Sequence, residues 1–340
     1  MKTVLFSLIL SVFTGVLQAA ENVPFSIEPY RAAIDSSVQL GIRQEYERLT
    51  LFFKEQCRLH PGDPVYPFFL MLNYEAMMID YETTDFERPF DSLAVVSENG
   101  FKRLQKHRCN QAWMNFFLGT LYVTQAAHEL RFANYLTFTK DVLRGISLLN
   151  KSVEADSAIY DAYLYLGAFQ YARVALTGWL PFADDEKGEA VDMIERARNH
   201  GLMSREVAVQ VLIALHGHMG DVAGAESLAA DFKRRYPENR AVYWLLGNVY
   251  LAEKRYADAR AEFERLVPLV DKIPVIYAYN RFSLAAELAR TCYESGDYKA
   301  SIAWCEKILS YQNGDKRCQK YVKFARKYLS RGRKKLDAEK

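Results

Sequence analysis

Apolar residues recur at steps of three and four along most of the chain, in segments of about 14 to 24 residues. Short clusters of Pro, Gly, Asp or Asn separate the segments. That period gathers apolar side chains on one helix face, whereas strand-type alternation is nearly absent. The pattern predicts an all-α chain. Its first long segment, about Pro29 to Leu59, stops at His60-Pro61-Gly62-Asp63-Pro64, where two prolines and a glycine forbid continuation.

The later segments pair. First helices are predicted to start at Val65, Ala112, Tyr160, Glu206, Arg240 and Phe282, giving spacings of 47, 48, 46, 34 and 42 residues. The unit around Gly247 reads Tyr243, Leu246, Gly247 and Tyr250, then Tyr256, Ala259 and Phe263. Small residues at Gly247 and Ala259 let two helices approach, and the larger residues fill the space around the crossing. The unit from Glu206 to Asn239 carries Leu212, Ala225, Gly220-Asp221 at its turn and a closing Pro237, with Ile213 where a small residue is expected. The last unit carries Leu288, Ala289 and Gly296-Asp297-Tyr298. The three long units open on aromatics, as in Tyr66-Pro67-Phe68-Phe69, Trp113-Met114-Asn115-Phe116-Phe117 and Tyr160-Asp161-Ala162-Tyr163. Their second helices are predicted to begin near Pro89, Thr139 and Asp185, with a long turn over 177–182.

This arrangement resembles the tetratricopeptide repeat, closely over about 206–313 and more loosely over 60–205. The resemblance implies a right-handed α-solenoid superhelix of stacked antiparallel helix pairs, with a concave face made mostly by first helices. Residues 21–64 would then be a leading helix or N-terminal cap, because an unstacked repeat leaves its apolar face wet. Residues 65–205 would form three long pairs and 206–313 three units near the standard pattern. A capping helix over 314–330 and a basic tail over 331–340 complete the division, with a change of curvature expected near 205.

Charge and composition change this picture at the two ends. Lys2, the apolar run Val4 to Val16 and the exit Leu17-Gln18-Ala19-Ala20 read as a signal peptide over 1–20, cleaved after Ala19 or Ala20. The run is shorter than a membrane-spanning helix, and no later stretch is long and apolar enough to span. Export to the periplasm of a Gram-negative cell follows as the expectation. At the other end, residues 316–340 hold eleven basic and two acidic residues, whereas 21–315 hold 32 basic and 40 acidic. The basic tail is therefore a local feature of a mildly acidic body, suited to solubilisation or to an anionic envelope surface. Nucleic acid is not expected as a partner of an exported chain. Five cysteines, an odd number, leave at least one unpaired within the chain; Cys292 and Cys305, on successive helices, either bond or sit as two small core residues.

Candidate chemistry adds little. His216-Gly217-His218 places two rings about 200° apart on a helix, with no carboxylate or cysteine at structural-metal spacing to complete a site. His107 and Cys109 make a similarly weak pair. Asp184-Asp185-Glu186 opens a helix, where negative charge favours the exposed backbone N–H groups. No phosphate loop follows a strand. Neither cofactor, metal nor catalysis is expected.

The resemblance moves attention to the concave face. The second, fifth, ninth and twelfth positions of each first helix share a face. In the first half these include Tyr66, Phe69, Asn73, Trp113, Phe116 and Tyr171, an aromatic stripe that is either an open partner site or is packed against the leading helix. In the second half they include Trp244, Asn248, Arg290 and Tyr293. Asn73 and Asn248 match the ninth-position Asn of tetratricopeptide domains that clamp a terminal carboxylate. Tyr66, Phe69, Ala241 and Trp244 stand where that clamp needs basic residues, so the expected ligand is a hydrophobic protein or peptide segment. A fixed structural subunit, or a homo-oligomer, is the alternative; an unfamiliar all-helical enzyme ranks third.

Overall fold

The computed structural model describes residues 25–107, 110–131, 134–176, 183–274, 276–311 and 316–338. The expected export signal over 1–20, Cys109 and the expected turn over 177–182 lie outside them. The described residues form fifteen α-helices and two 3-10 turns, with no strand among them. The leading segment is α1 (Arg31–Ile42) and α2 (Tyr46–Leu59). Six pairs follow: α3 (Val65–Asp80) with α4 (Glu87–Lys106), α5 (Gln111–Arg131) with α6 (Tyr135–Ala155), and α7 (Asp161–Leu176) with α8 (Ala183–His200). The shorter pairs are α9 (Arg205–His218) with α10 (Val222–Arg235), α11 (Arg240–Ala252) with α12 (Tyr256–Asp271), and α13 (Tyr279–Glu294) with α14 (Tyr298–Ser310). The chain ends on α15 (Gln319–Ala338). First helices also meet their neighbours, α9 on α11 and α13 on α15, which is the stacking that a helical repeat requires.

Two expectations about the ends need correction. The leading segment is two helices, not one. Gln44 adopts a left-handed φ of 60°, and the Gln44 and Glu45 N–H groups close 2.9 Å bonds to the Gly41 and Leu40 carbonyls. Those bonds end α1 and turn the chain into α2. At the other terminus the capping helix expected to end at 330 runs on into the basic tail, and α15 continues to Ala338. Gly332 is buried there, with room for Ile302 directly over its Cα, so this turn packs on its neighbour instead of loosening.

The chain forms two compact units that are not contiguous in sequence. One holds the described residues up to Val38, Glu47–Leu72 and Pro89–Ser204; the other holds Gln39–Tyr46, Asn73–Arg88 and the residues from Arg205 onward. The first is built on aromatic packing. Phe117 lies 4.8 Å from Phe101, 5.2 Å from Phe68 and 5.4 Å from Phe116, ring to ring. Close helix approach recurs at one position in three first helices. A Cβ on Gly119, Gly167 or Gly247 would stand 2.7 Å from Leu149, 2.6 Å from the Ala190 carbonyl or 2.5 Å from Phe263. Each glycine is the eighth residue of its expected repeat, so one contact sets the pairing in both units.

The starts of α10 and α14 are fixed by side-chain caps. Asp221 and Asp297 accept 3.0 Å bonds from the Gly224 and Ala300 N–H groups. The Ala300 N–H, then Arg260, hold the Asp297 carboxyl below the usual carboxylate range. A depressed folded pKa stabilises above the unfolded value and is lost as pH falls through the folded one. The deficit of Asp297→Asn in thermal midpoint should therefore be largest near neutral pH and close below about pH 3. A deficit that stays constant across that range would rule the linkage out. Cys292 and Cys305 carry free thiols, each pushed up to about 11 by burial, and they sit as core residues.

Candidate protein-binding surface

The second unit is organised around the N-terminal ends of α11 and α13. Asn239 caps α11, its side-chain oxygen accepting from the Val242 N–H at 3.3 Å, while its amide donates to the Ile42 carbonyl at 2.7 Å. The Arg240 N–H donates to Gln44 Oε1 at 2.9 Å. The Arg240 guanidinium then grips Asp80 with both arms, Nε to Oδ1 at 3.1 Å and Nη2 to Oδ2. These two side chains are only 10% and 12% exposed. Asn280, buried on α13, donates its amide to the Asp80 carbonyl. Tyr81 stacks on Tyr277 at 5.1 Å and meets Tyr46 edge-on at 5.6 Å. Burial, and next the Asp80 carboxylate, push the Tyr46 hydroxyl well above its ordinary pKa.

This closure has a simple electrostatic logic. The carbonyl ends of α1 and α3 meet donors at the amino ends of α11 and α13, so orphan carbonyls find partners and the partial charges have opposite sign. None of these contacts was expected from the sequence. Asn239 does carry a local cap signal, but its partner Ile42 lies 197 residues away along the chain.

Beyond the closure, α9, α11 and α13 carry accessible positions. Arg240, Trp244 and Asn248 follow at steps of four on α11 and so share a face. Asp80 covers the first, Trp244 is half-buried against Phe263 at 5.5 Å, and Asn248 is exposed. On α9, stacked beside α11, Val207 is 45% exposed, and Val211 and Ala214 behind it on the same face are half-buried. On α13, Arg290 pairs with Glu287 at 2.5 Å. Tyr293 is half-buried between Tyr298 at 5.3 Å and Tyr328 at 5.2 Å.

The first-half stripe sits differently. Tyr66, Phe69, Phe116 and Tyr171 are all buried, and Trp113 is half-buried. Within the first unit the leading segment covers part of the stripe: Phe53 of α2 stacks on Phe69 at 5.5 Å, and Tyr30 lies 5.6 Å from Tyr66. Asn73 is buried in the second unit, where its amide donates to the Tyr46 carbonyl at 3.1 Å.

Among the described residues, no group of three or more His, Cys, Asp or Glu side chains could hold a metal ion. His216 Nδ1 lies 2.7 Å from Asp221 Oδ2, a contact that braces the α9–α10 turn. No helix of the described residues is long and apolar enough to cross a membrane.

Comparison with known proteins points to the same architecture. A tetratricopeptide repeat family model matches residues 215–272. No curated protein matches the chain. Among solved structures, PilW, a widely conserved type IV pilus biogenesis factor, aligns over 74% of this chain and 98% of its own, with a TM-score of 0.51 and 9% identity. The C-terminal part of a tetratricopeptide repeat protein from Cytophaga hutchinsonii aligns over 85% of this chain and 99% of its own, with a TM-score of 0.43 and 11% identity. Yeast Tom70 aligns over 86% of this chain and 60% of its own, with a TM-score of 0.36 and 14% identity. At such identities the likeness to PilW is one of fold.

Proposed function

We propose that the chain is a tetratricopeptide-type repeat protein that serves as a non-catalytic scaffold of the bacterial cell envelope. It takes a segment of another protein on the face carried by α9, α11 and α13. Trp244, Asn248, Arg290 and Tyr293 are the proposed contacts, with its basic C-terminal helix turned to an anionic envelope surface. The observation that carries this reading is the accessibility of Asn248, one turn from a half-buried Trp244 on α11, and of Val207 on the neighbouring α9. Such a strip offers an apolar anchor and, beside it, an amide able to donate to and accept from a partner backbone. The signal-like sequence over 1–20 supports residence in the periplasm.

Affinity capture of the mature protein from envelope extract tests this proposal. Trp244→Ala is expected to deplete a specific captured protein, with affinity reduced at least about tenfold, as befits an interfacial anchor. Trp113→Ala, in the more closed first unit, serves as the comparison. If Trp244→Ala stays folded and captures the same set at the same level, the face is not a binding site.

A further inference from the structure

We infer that the outward face of α15 is a docking surface for a bilayer rich in anionic phospholipid, held by charge and without insertion. This rests on the envelope-surface contact proposed above and gives that surface a chemistry. Lys320, Lys323, Lys327, Arg331 and Lys334 succeed one another at steps of three and four along α15, with Lys316 in the 3-10 turn just before it, and all six are exposed. The steps keep the five cations of α15 in a single row, about 21 Å long at the helical rise of 1.5 Å per residue. Because α15 stays helical to Ala338, the row includes Arg331 and Lys334 and does not stop at Lys327.

Several other cations of the second unit are neutralised by carboxylates. Arg234 pairs with Asp231, Arg255 with Asp258, and Arg260 with both Glu264 and Asp297. Among the described residues no carboxylate pairs with any of the six. Lys320 reaches the Tyr279 hydroxyl at 2.5 Å, and Arg331 lies over the Tyr328 ring at 5.8 Å, neither of which cancels charge. Like charges four residues apart on a helix repel, and an external sheet of anions would relieve that repulsion.

The opposite face of α15 is already used. Ala325 is fully buried, and Tyr321, Phe324 and Tyr328 pack against the cluster of Phe282, Cys305 and Ile308. No apolar face is left to enter the acyl region, which distinguishes this helix from an interfacial anchor that buries its greasy side. A straight row of point charges fits a continuous anionic plane, with its strength set by the number of cations within a Debye length. The remainder of the mature chain, 32 basic against 40 acidic residues over 21–315, is repelled by the same plane. Charge would therefore orient the protein as well as hold it.

Co-sedimentation of the mature chain with vesicles tests the inference. Vesicles of equal parts phosphatidylglycerol and phosphatidylcholine should bind it, and phosphatidylcholine alone should not. Reversing two exposed charges, Lys323→Glu with Lys327→Glu, should lower binding at least about 100-fold while leaving the melting curve in place. Salt at about 0.5 M should release the wild-type chain. Equal binding to both vesicle types, no binding to either, or tighter binding to duplex DNA than to anionic vesicles would each overturn the proposal. Trp244→Ala should bind vesicles like the wild type, so failure of the groove reading and failure of this one are separable.

Discussion

Arg240→Ala is expected to destabilise the second unit by about 3–5 kcal/mol, the range for breaking a buried ion pair by removing one partner. The reason is the environment of Asp80. Its carboxylate is held by two guanidinium bonds in a site where both side chains are nearly closed to solvent. Removing Arg240 leaves that charge desolvated beside Tyr46 and Tyr81, whose rings cannot replace the lost positive charge. Asp80→Ala should cost a similar amount, because it strands the guanidinium. The double variant Arg240→Met with Asp80→Leu should recover much of the loss, since apolar replacement of a whole buried pair is often close to neutral. Urea unfolding of the four proteins compares stranding either charge with replacing the whole pair. Single variants that each lose under about 1 kcal/mol would mean that the pair is solvated and the closure weak.

Phe117→Ala carries the second large expected effect, a loss of about 3–5 kcal/mol from the first unit. Phe117 is fully buried and meets the rings of Phe68, Phe101 and Phe116, joining α3, α4 and α5 at one point. The loss combines the transfer term, the cavity and several ring contacts worth about 0.5–1.5 kcal/mol each. Phe117→Leu fills most of the volume and should cost roughly half as much or less. Denaturant midpoints for both variants check this order. Equal losses would show that ring geometry, not volume, governs the site; negligible losses would mean that this core is poorly packed.

Much of the fold was legible because its determinants are local. The predicted first-helix starts at Val65 and Arg240 coincide with the observed ones, and the other four lie within three residues. Gly247 opposite Phe263 gave the family contact, and Gly119 and Gly167 carry the same signal at the same offset in the longer units. The closure was not legible. Asp80 and Arg240 are separated by 160 residues, and neither lies in a pattern that singles it out. The break between α1 and α2 depends on one left-handed residue, Gln44, a conformation with little sequence preference outside Gly, Asn and Asp. Exposure of the aromatic stripe was equally hidden. Periodicity places Tyr66 and Phe69 on one face, but only the fold reveals that Tyr30 and Phe53 lie against them.

That contrast between a covered stripe and an accessible face supplies the most direct test of function. A photoreactive phenylalanine analogue introduced at Asn248, which is exposed, and separately at Phe69, which is 2% exposed, would be activated in the native compartment. The expected result is a discrete cross-linked protein from position 248 and none from position 69. Cross-linking from position 69, or its absence at 248 in a folded protein, would contradict a binding face on the second unit.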